Sequence, residues 1–596
     1  MAVAKKRNPD EENSLDPGLV RGLSEGARTL VTWADILDRI NVFPVPDGDT
    51  GRNLVITLAP LQRGISGPEE LKNRLLMSAR GNSGNIAANF FAGFLDGMVP
   101  GTLVEACKQG RDMAYAALKA PKAGTVLSLF DALVEALKQH PVEKDGAWVP
   151  RVIEEMESAV LSTRVRLPEL AAAGVVDAGA LGMFLFFRAC FCVLGNRPGT
   201  SEALPDPFKP FLEPVETWKE SVASRGYCLD AVVRTRPGGS ERVDSLSEWG
   251  EEAIATTSGD ILKIHLHTSD REGVRQELAG MGDIVHWESD DLALQVRRFT
   301  RPVLRQALHI VTDAAGAIQR HQAMRLGITL LDSYVQIDHE SLPETCVDPE
   351  HLFAAMQGGS RVSTAQASTR EREQAYAKIL DLHSRALYIT VGSFYTGNYE
   401  AARAWKAAND PEDRLLLVDS GVASGHLGLA AMAAARFSMA ADTLEEVTAF
   451  AHKALNACRE ILFLDKLHFV AAGGRMSKTG AFFGDMLHLK PAFTPTPTGA
   501  QKLAVLRSRA DQVDLALKQL DQGLDPGKKA IVMLEHTDNR DWVESDLTQM
   551  VTRRFPLAYV FEQETSLTSA AHMGPGTWGV AFLQVDELDR LEPFFP

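Results

Sequence analysis

Between Asp16 and Gly195 apolar residues recur at helical spacing, and after Gly226 short alternating runs replace that rhythm. The change of period divides the chain before any motif is read. The helical part opens with "DPGLVRGLSEGARTLVTWADILDRI", where Asp16 and Pro17 suit a cap and a first turn. "PEELKNRLLMSAR", "GNIAANFFAGFLDGM", "GTLVEACKQGRDMAYAALKA" and "VLSLFDALVEALKQH" continue it, with glycine-rich polar loops between them. The proline-rich "PDPFKPFLEP", Pro205 to Pro214, reads as a boundary. Beyond it "YCLDAVVRT" and "DILKIHLHT" read as strands and "REGVRQELAGM" as a helix, a small α/β module ending near Arg297. After the linker "RRFTRPVLRQ", the β runs "LHIVTD", "ALYITVG", "RLLLVDS", "AIVMLEH" and "PLAYVFE" alternate with helical segments. That order predicts an α/β domain with a largely parallel sheet, whose ligands sit at the carboxyl ends of the strands. Asp313, Ser393 and Asp419 fall at such ends.

The 596 residues leave room for about three to five domains. A net charge of −16 argues against a general nucleic-acid or anionic-membrane binder, which needs a basic surface. Six cysteines without a CxxC pair fit a reducing compartment. The charged start "MAVAKKRNPDEENS" lacks the apolar core of a signal peptide, so a cytoplasmic protein is expected. The most apolar stretch, "GALGMFLFFRACFCVLG", is interrupted by Arg188 and preceded by Asp177. It reads as a buried bundle helix, not a transmembrane segment.

The loop "NVFPVPDGDTGRNL" sets Asp47 and Asp49 on either side of Gly48. Two like charges so close call for compensation, and Mg²⁺ prefers carboxylate oxygens and shares its shell with phosphates. The plainer reading is an Asp-Gly turn with solvated carboxylates. "ARGNSGNI", "PKAGTVLS" and "AGVVDAGALG" add small and hydroxyl residues just before helices, where backbone N–H groups suit phosphate. Taken together, these loops suggest a nucleotide site built from the loop ends of a bundle. In the middle module His265 and His267 share one strand face, and a neighbouring strand can bring Cys228 to them. Three N/S ligands suit zinc; a core cysteine with two ordinary strand histidines is the alternative. In the last part, "VSTAQAS", "VGSFYTGNYEAA" and "VDSGVASGHLG" carry hydroxyl clusters, each most simply turn and cap chemistry.

In this order, "NVFPVPDGDTGRNL", "ARGNSGNI", "PKAGT" and "VVDAGALG" resemble the ATP-binding domain of the dihydroxyacetone-kinase family, over roughly residues 15–200. The branch they resemble most is the kinase subunit of bacterial fatty acid kinase. The resemblance implies an all-α barrel with ATP and Mg²⁺ at one end. It makes Asp47 and Asp49 the metal-binding acids, with Asn41, Asn53, Asn82, Ser83, Gly84, Gly124, Thr125 and Asp177 at the nucleotide. The dihydroxyacetone enzymes carry a third acid before the pair, where this chain offers Asn41. "GYC" and "HLHT" match the middle domain of the same subunit, which implies a metal-like cluster of Cys228, His265 and His267. Zn²⁺ is its candidate ion, and its role, structural or catalytic, is open.

Over roughly residues 307–596 the hydroxyl clusters, the "GGR" segment with "LKP", and the close "HMGPG" resemble DegV-type fatty-acid-binding proteins. That family holds a long-chain fatty acid in an apolar tunnel with its carboxylate at a polar mouth. The resemblance implies Thr364, Ser393 and His572 at the carboxylate, and Arg475 on the phosphate side or against the kinase domain. The chain departs from the family pattern at Ala314, at Ala365 and in "GSFYTGN", so its mouth carries fewer hydroxyls. That leaves room for a different acyl chain or carboxylate lipid.

The expected fold is multidomain. An all-α, DhaL-like helical barrel spans residues 15–204, a small α/β module 205–300, and an α/β, DegV-like domain 305–596. The expected activity is ATP-dependent phosphorylation of a bound fatty-acid carboxylate, giving an acyl phosphate. A carboxylate is ionised at neutral pH and attacks phosphorus without a general base. Joining carrier and kinase in one chain raises their effective concentration to around millimolar. A kinase for a small hydroxyl compound such as dihydroxyacetone and a non-enzymatic lipid-binding regulator are the other readings. Intact Asp47, Asp49, Ser83 and Thr125 speak against the regulator. A downstream acyl-phosphate acyltransferase and a homodimer complete the expected partners, with no nucleic acid.

Overall fold

The computed structural model describes residues 15–592 apart from 63–66, 99–101, 144, 198–202, 216–217, 219–225, 237–245, 300–304, 467–468 and 470–488. The chain divides into two compact units, residues 1–300 and 301–596.

In the first unit, helices α1 to α9 run Pro17–Arg39, Thr50–Leu58, Pro68–Ser78, Gly81–Met98, Leu103–Ala116, Val126–Gln139, Trp148–Arg166, Pro168–Ala173 and Ala178–Leu194. Asp16 caps α1 by accepting from the N–H groups of Gly18 and Leu19, with Pro17 in the first turn. The apolar α9 is core, as its composition predicts. Phe184, Phe186, Phe187 and Phe191 are fully buried, and Phe187 meets the rings of Phe90 and Phe130 edge-on. Arg188, the charge that interrupts this run, donates to the Ala203 carbonyl at 2.5 Å. Among the described residues no helix is long and apolar enough to cross a membrane. The proline-rich segment forms a short 3-10 helix, Asp206–Phe211, whose Phe208 packs edge-on against Phe184.

Strands β1 (Tyr227–Thr235), β2 (Glu251–Ser258), β3 (Ile261–Thr268) and β4 (Gly282–Asp291) form an antiparallel sheet in the order β2-β3-β1-β4. The two-residue alternation assigns its faces. Leu229, Ala231 and Val233 join Leu262, Ile264 and Leu266 in a core closed by Val274 and Leu278 of the helix Arg271–Met281. The opposite face carries Cys228, Asp230, Lys263, His265 and His267, and it meets α4. There Thr256 donates to Asn89 Oδ1 at 2.8 Å, and Asn85 Nδ2 donates to Asp230 at 2.9 Å.

In the second unit, β5 to β17 run His309–Asp313, Ile328–Leu331, Tyr334–Ile337, Glu340–Pro343, Val362–Ala365, Ala386–Thr390, Leu415–Asp419, Arg459–Phe463, Lys490–Thr496, Gly499–Leu506, Ala530–His536, Ala558–Glu564 and Trp578–Leu583. Among the described residues three sheets replace the largely parallel one expected. The order β11-β10-β5-β6 is parallel throughout. The order β8-β7-β9 is antiparallel. In the order β14-β13-β12-β17-β15-β16 only the β15–β16 pair is parallel. The physical reason is connection length. Pro497 and Thr498 alone join β13 to β14, and so short a link permits only an antiparallel pair. The helix Ser424–Ser438 is buried along its length in a core that draws Ile310 and Ile389 from the parallel sheet and Ile531 and Ala581 from the mixed one.

Candidate functional site

The loop after α1 is held from behind before it presents anything forward. Asp38, in the last turn of α1, accepts from the N–H groups of Gly51 at 2.6 Å and Arg52 at 3.1 Å and so caps α2. Asn41 donates to Asp47 and accepts from the Thr50 hydroxyl at 2.9 Å. Asp47 and Asp49 are left part-exposed, their carboxyl groups hydrogen-bonded to each other across Gly48. Loss of water pushes the Asp47 carboxyl up to about 6. The same loss, with the charges of Asp47 and Asp38, lifts Asp49 well above the usual carboxylate range. Two carboxyls so destabilised as a charged pair, and offering only oxygen, fit a hard divalent cation such as Mg²⁺.

Successive contacts link this loop to further helix N-termini. Asn53 of α2 lies against Gly81, whose φ of +58° opens α4. Ser83 of α4 approaches the first turn of α9, where a Cβ on Gly179 would lie 3.0 Å from Ser83 Oγ. Asp177 caps α9 through the Ala180 N–H at 2.7 Å and also accepts from the Val126 N–H that opens α6. Burial pushes its carboxyl up to about 6. Thr125 caps α6 and donates to the Lys122 carbonyl at 2.9 Å, while Gly124 takes φ +89° beside Arg166. Gly84 is buried against Thr57, where it lets α4 approach α2. Asn82 keeps its Oδ1 buried with no hydrogen-bond partner among the described residues. The positive ends of α2, α4, α9 and α6 are thus linked in series from Asp49 onward, an arrangement suited to a polyphosphate and its cation.

The polar face of the sheet adds a second cluster beside the first. The ligand atoms of Cys228, His265 and His267 lie within 4.8 Å of one another. Register explains it, because Cys228 pairs with His267 and Asp230 with His265 across β1 and β3. His265 donates Nδ1–H to Asp230 at 3.2 Å, and its buried Nε2 has no partner among the described residues. Burial, reinforced by His265, holds His267 down at about 3, so it is a neutral imidazole at neutral pH. An orphaned ring nitrogen, a neutral imidazole and a thiol fit Zn²⁺. Burial and then the charges of Asp230, Asp49 and Asp47 push the Cys228 thiol up, which places the cluster close to the acid pair.

In the second unit Thr364, on β9, lies 2.9 Å through its hydroxyl from Nε2 of His572, on the helix Leu567–Met573. Ser393 is exposed on the loop after β10, and Asp419 holds its backbone N–H at 3.0 Å. Asp313 is engaged within the protein. It is fully buried and accepts from Tyr388 at 2.7 Å, Asn398 at 2.9 Å, Arg372 at 3.2 Å and the Val391 N–H at 2.7 Å. Its work is to pin the loop that carries Ser393. Arg475 lies outside the described residues. Sequence reasoning overlooked Asp38 and Asp230. Asp230 had a signal, since it shares a strand face with Cys228; a buried acid in the last turn of α1, where the helix dipole disfavours it, was the signal for Asp38.

Known structures and proteins resemble parts of this chain. A fatty-acid-binding DegV family protein from Thermus thermophilus superposes with a TM-score of 0.43 at 21% identity, covering 47% of this chain and 100% of that one. DegV of Bacillus subtilis, a fatty acid binding protein, does so with a TM-score of 0.43 at 18% identity, with coverages of 47% and 100%. An uncharacterized protein of Staphylococcus saprophyticus is 28% identical over 312 residues, 46% of this chain and 55% of that protein. Protein YloV of Bacillus subtilis is 27% identical over 303 residues, 45% of this chain and 54% of its own length. The chain spans about half the length of the curated relatives it matches. The family model described as the DAK2 domain matches residues 44–191, and that of the DegV family, described as an uncharacterised protein family, matches residues 307–585. The chain joins a DAK2 domain to a DegV-family domain, in that order.

Proposed function

We infer that this protein phosphorylates the carboxylate of a fatty acid held by its DegV domain, using ATP at its DAK2 domain. The observation that carries the reading is the chain of contacts that links the N-termini of α2, which starts from Asp49, α4, α9 and α6, in one chain with a domain whose relatives from Thermus thermophilus and Bacillus subtilis are named as fatty acid binders. Asp47 and Asp49 would hold Mg²⁺, with Asn41 orienting Asp47. That ion would neutralise phosphate charge as the γ-phosphoryl group moves. The first turns of α4, α6 and α9, at Ser83, Thr125 and Asp177, orient the nucleotide. Thr364, Ser393 and His572 hold the acyl carboxylate, and Asp313 and Asp419 fix the loop of Ser393. A carboxylate oxygen forms the new bond to the γ-phosphorus, the bond to the β–γ bridging oxygen breaks, and ADP leaves. No residue need remove a proton, because the acceptor is already ionised. The product, an acyl phosphate, suits an acyltransferase that consumes such an anhydride. Six cysteines, none in a disulfide among the described residues, suit a reducing, cytoplasmic setting.

The test uses γ-labelled ATP with a long-chain fatty acid and traps the anhydride with hydroxylamine. Acyl hydroxamate, with labelled inorganic phosphate released as it forms and only when the fatty acid is present, is expected for the wild type, and both Asp47→Asn and Asp49→Asn should lose at least about a hundredfold in turnover. Near-normal turnover in both variants would remove the metal assignment. Transfer to dihydroxyacetone in place of the fatty acid would redirect the reading to a small-hydroxyl kinase.

A further inference from the structure

Asp230 is a buried carboxylate that belongs to neither cluster, yet it touches both. It stands on β1 at 5% exposure. Each of its oxygens takes one bond from α4 and one from β3. Oδ2 accepts the Gly81 N–H at 2.8 Å and His265 Nδ1–H at 3.2 Å. Oδ1 accepts Asn85 Nδ2 at 2.9 Å and pairs with Lys263 Nζ at 3.0 Å. The α4 partners are the first turn of a helix that begins in left-handed backbone at Gly81, against Asn53 of α2. Of the two β3 partners, His265 is the imidazole whose other nitrogen is the orphan of the Cys228–His265–His267 cluster.

We propose that Asp230 is a positioning residue that couples a divalent metal at Cys228, His265 and His267 to nucleotide binding at the opening turn of α4. The argument is one of shared atoms. A carboxylate on Nδ1 fixes the imidazole tautomer and aims the Nε2 lone pair at the metal. The same oxygen receives the Gly81 N–H, so it also fixes the backbone of the turn that faces the phosphates. A metal that draws on Nε2 polarises the ring, strengthens the Nδ1–H bond to Asp230 and holds that oxygen where Gly81 needs it. The nucleotide, by ordering the α4 turn, holds the same oxygen where His265 needs it. The coupling is therefore positive and, as an equilibrium linkage, equal in both directions. A purely structural bridge would hold the sheet to the bundle without any such exchange.

The inference rests on the proposed nucleotide site, and its test separates the two. Full-length protein is stripped of metal, kept in saturating Mg²⁺, and titrated with Co²⁺ and with a fluorescent ATP analogue, each in the absence and presence of the other. The thiolate-to-cobalt charge-transfer band reports Cys228 alone, so Co²⁺ elsewhere is not counted. In the wild type each ligand should tighten the other by about fivefold or more. In Asp230→Asn both should still bind singly, with a changed cobalt spectrum and a coupling within about twofold of unity. Asp230→Glu keeps the charge but moves the carboxylate by one methylene, so one oxygen no longer meets both the Gly81 N–H and His265 Nδ1–H; it should bind both ligands singly with a coupling likewise near unity, and it decides the matter if Asp230→Asn does not fold. Full coupling in either variant overturns the proposal, and so does its absence in a wild type that binds both ligands. A wild type that binds no ATP analogue overturns the nucleotide reading, and the coupling falls with it.

Discussion

Glu344 shows how much a single buried acid controls at the proposed carboxylate site. It accepts from the Thr568 N–H at 2.9 Å and from the Thr568 hydroxyl at 3.0 Å, and so fastens the first turn of the helix that carries His572. Burial pushes its carboxyl from an ordinary 4.5 up to about 7. Because the folded value is raised, its contribution to stability is fully present below about 4.5 and is lost as pH rises through about 7, a change on the order of 3 kcal/mol. Glu344→Gln should therefore match the wild type near pH 5 and exceed it near pH 8, read as urea midpoints of the full chain. A wild-type midpoint that does not fall between those pH values contradicts this account. Thr364 and Ser393 bear on ligand affinity and not on stability. Removing charge-assisted hydrogen bonds costs about 1.5–3 kcal/mol each, so Thr364→Val with Ser393→Ala should weaken a fluorescent fatty acid by roughly tenfold per contact. ATP affinity should stay unchanged, and unchanged fatty-acid affinity would mean that other groups hold the carboxylate.

At the scale of elements, the acid pair depends on how closely α2 lies on α1. Gly51 has no room for a side chain, because a Cβ there would collide with the backbone carbonyl of Ala34. Asp38 reaches across the same contact to cap α2. Gly51→Ala should cost about 1–3 kcal/mol or more, since a helix backbone cannot step aside as a flexible side chain can. It should also weaken Mg²⁺-dependent nucleotide binding, because Asp49 is the residue from which α2 starts. Thermal unfolding and nucleotide titration of the one variant test both parts, and normal values in both would show that α2 tolerates a looser seat.

At the scale of the whole molecule, α4 and the sheet β2-β3-β1-β4 are one packing unit. Asn85 and Asn89 point from the bundle to Asp230 and Thr256, and these contacts are buried. A fragment ending near residue 205 strips each amide of its partner on the sheet and leaves only its bond to the α4 backbone, and each unmade buried hydrogen bond costs about 1–3 kcal/mol. Residues 1–300 should accordingly melt well above a fragment ending near 205 and bind ATP more tightly. Residues 301–596 should fold without the first unit. Equal melting of the two N-terminal fragments would show that the sheet contributes nothing to the bundle.

Local pattern was enough to separate helices from strands, to mark α9 as core despite Arg188, and to draw attention to Asp47, Asp49, Cys228, His265 and His267. These features have short-range signatures: helical spacing, strand alternation, and acids or imidazoles two residues apart. The mixed sheet of the second unit escaped because strand order is set by pairing between distant segments, as when β12 takes β17 for a neighbour. Asp230 as a hub escaped for the same reason. Gly81 and Asn85 are its partners across 149 and 145 residues, a distance at which a single sequence carries no record of contact. The tertiary structure alone decided that the α4 turn and the His265 ring hydrogen-bond to the same carboxylate, because only the packed core brings the polar face of the sheet against α4.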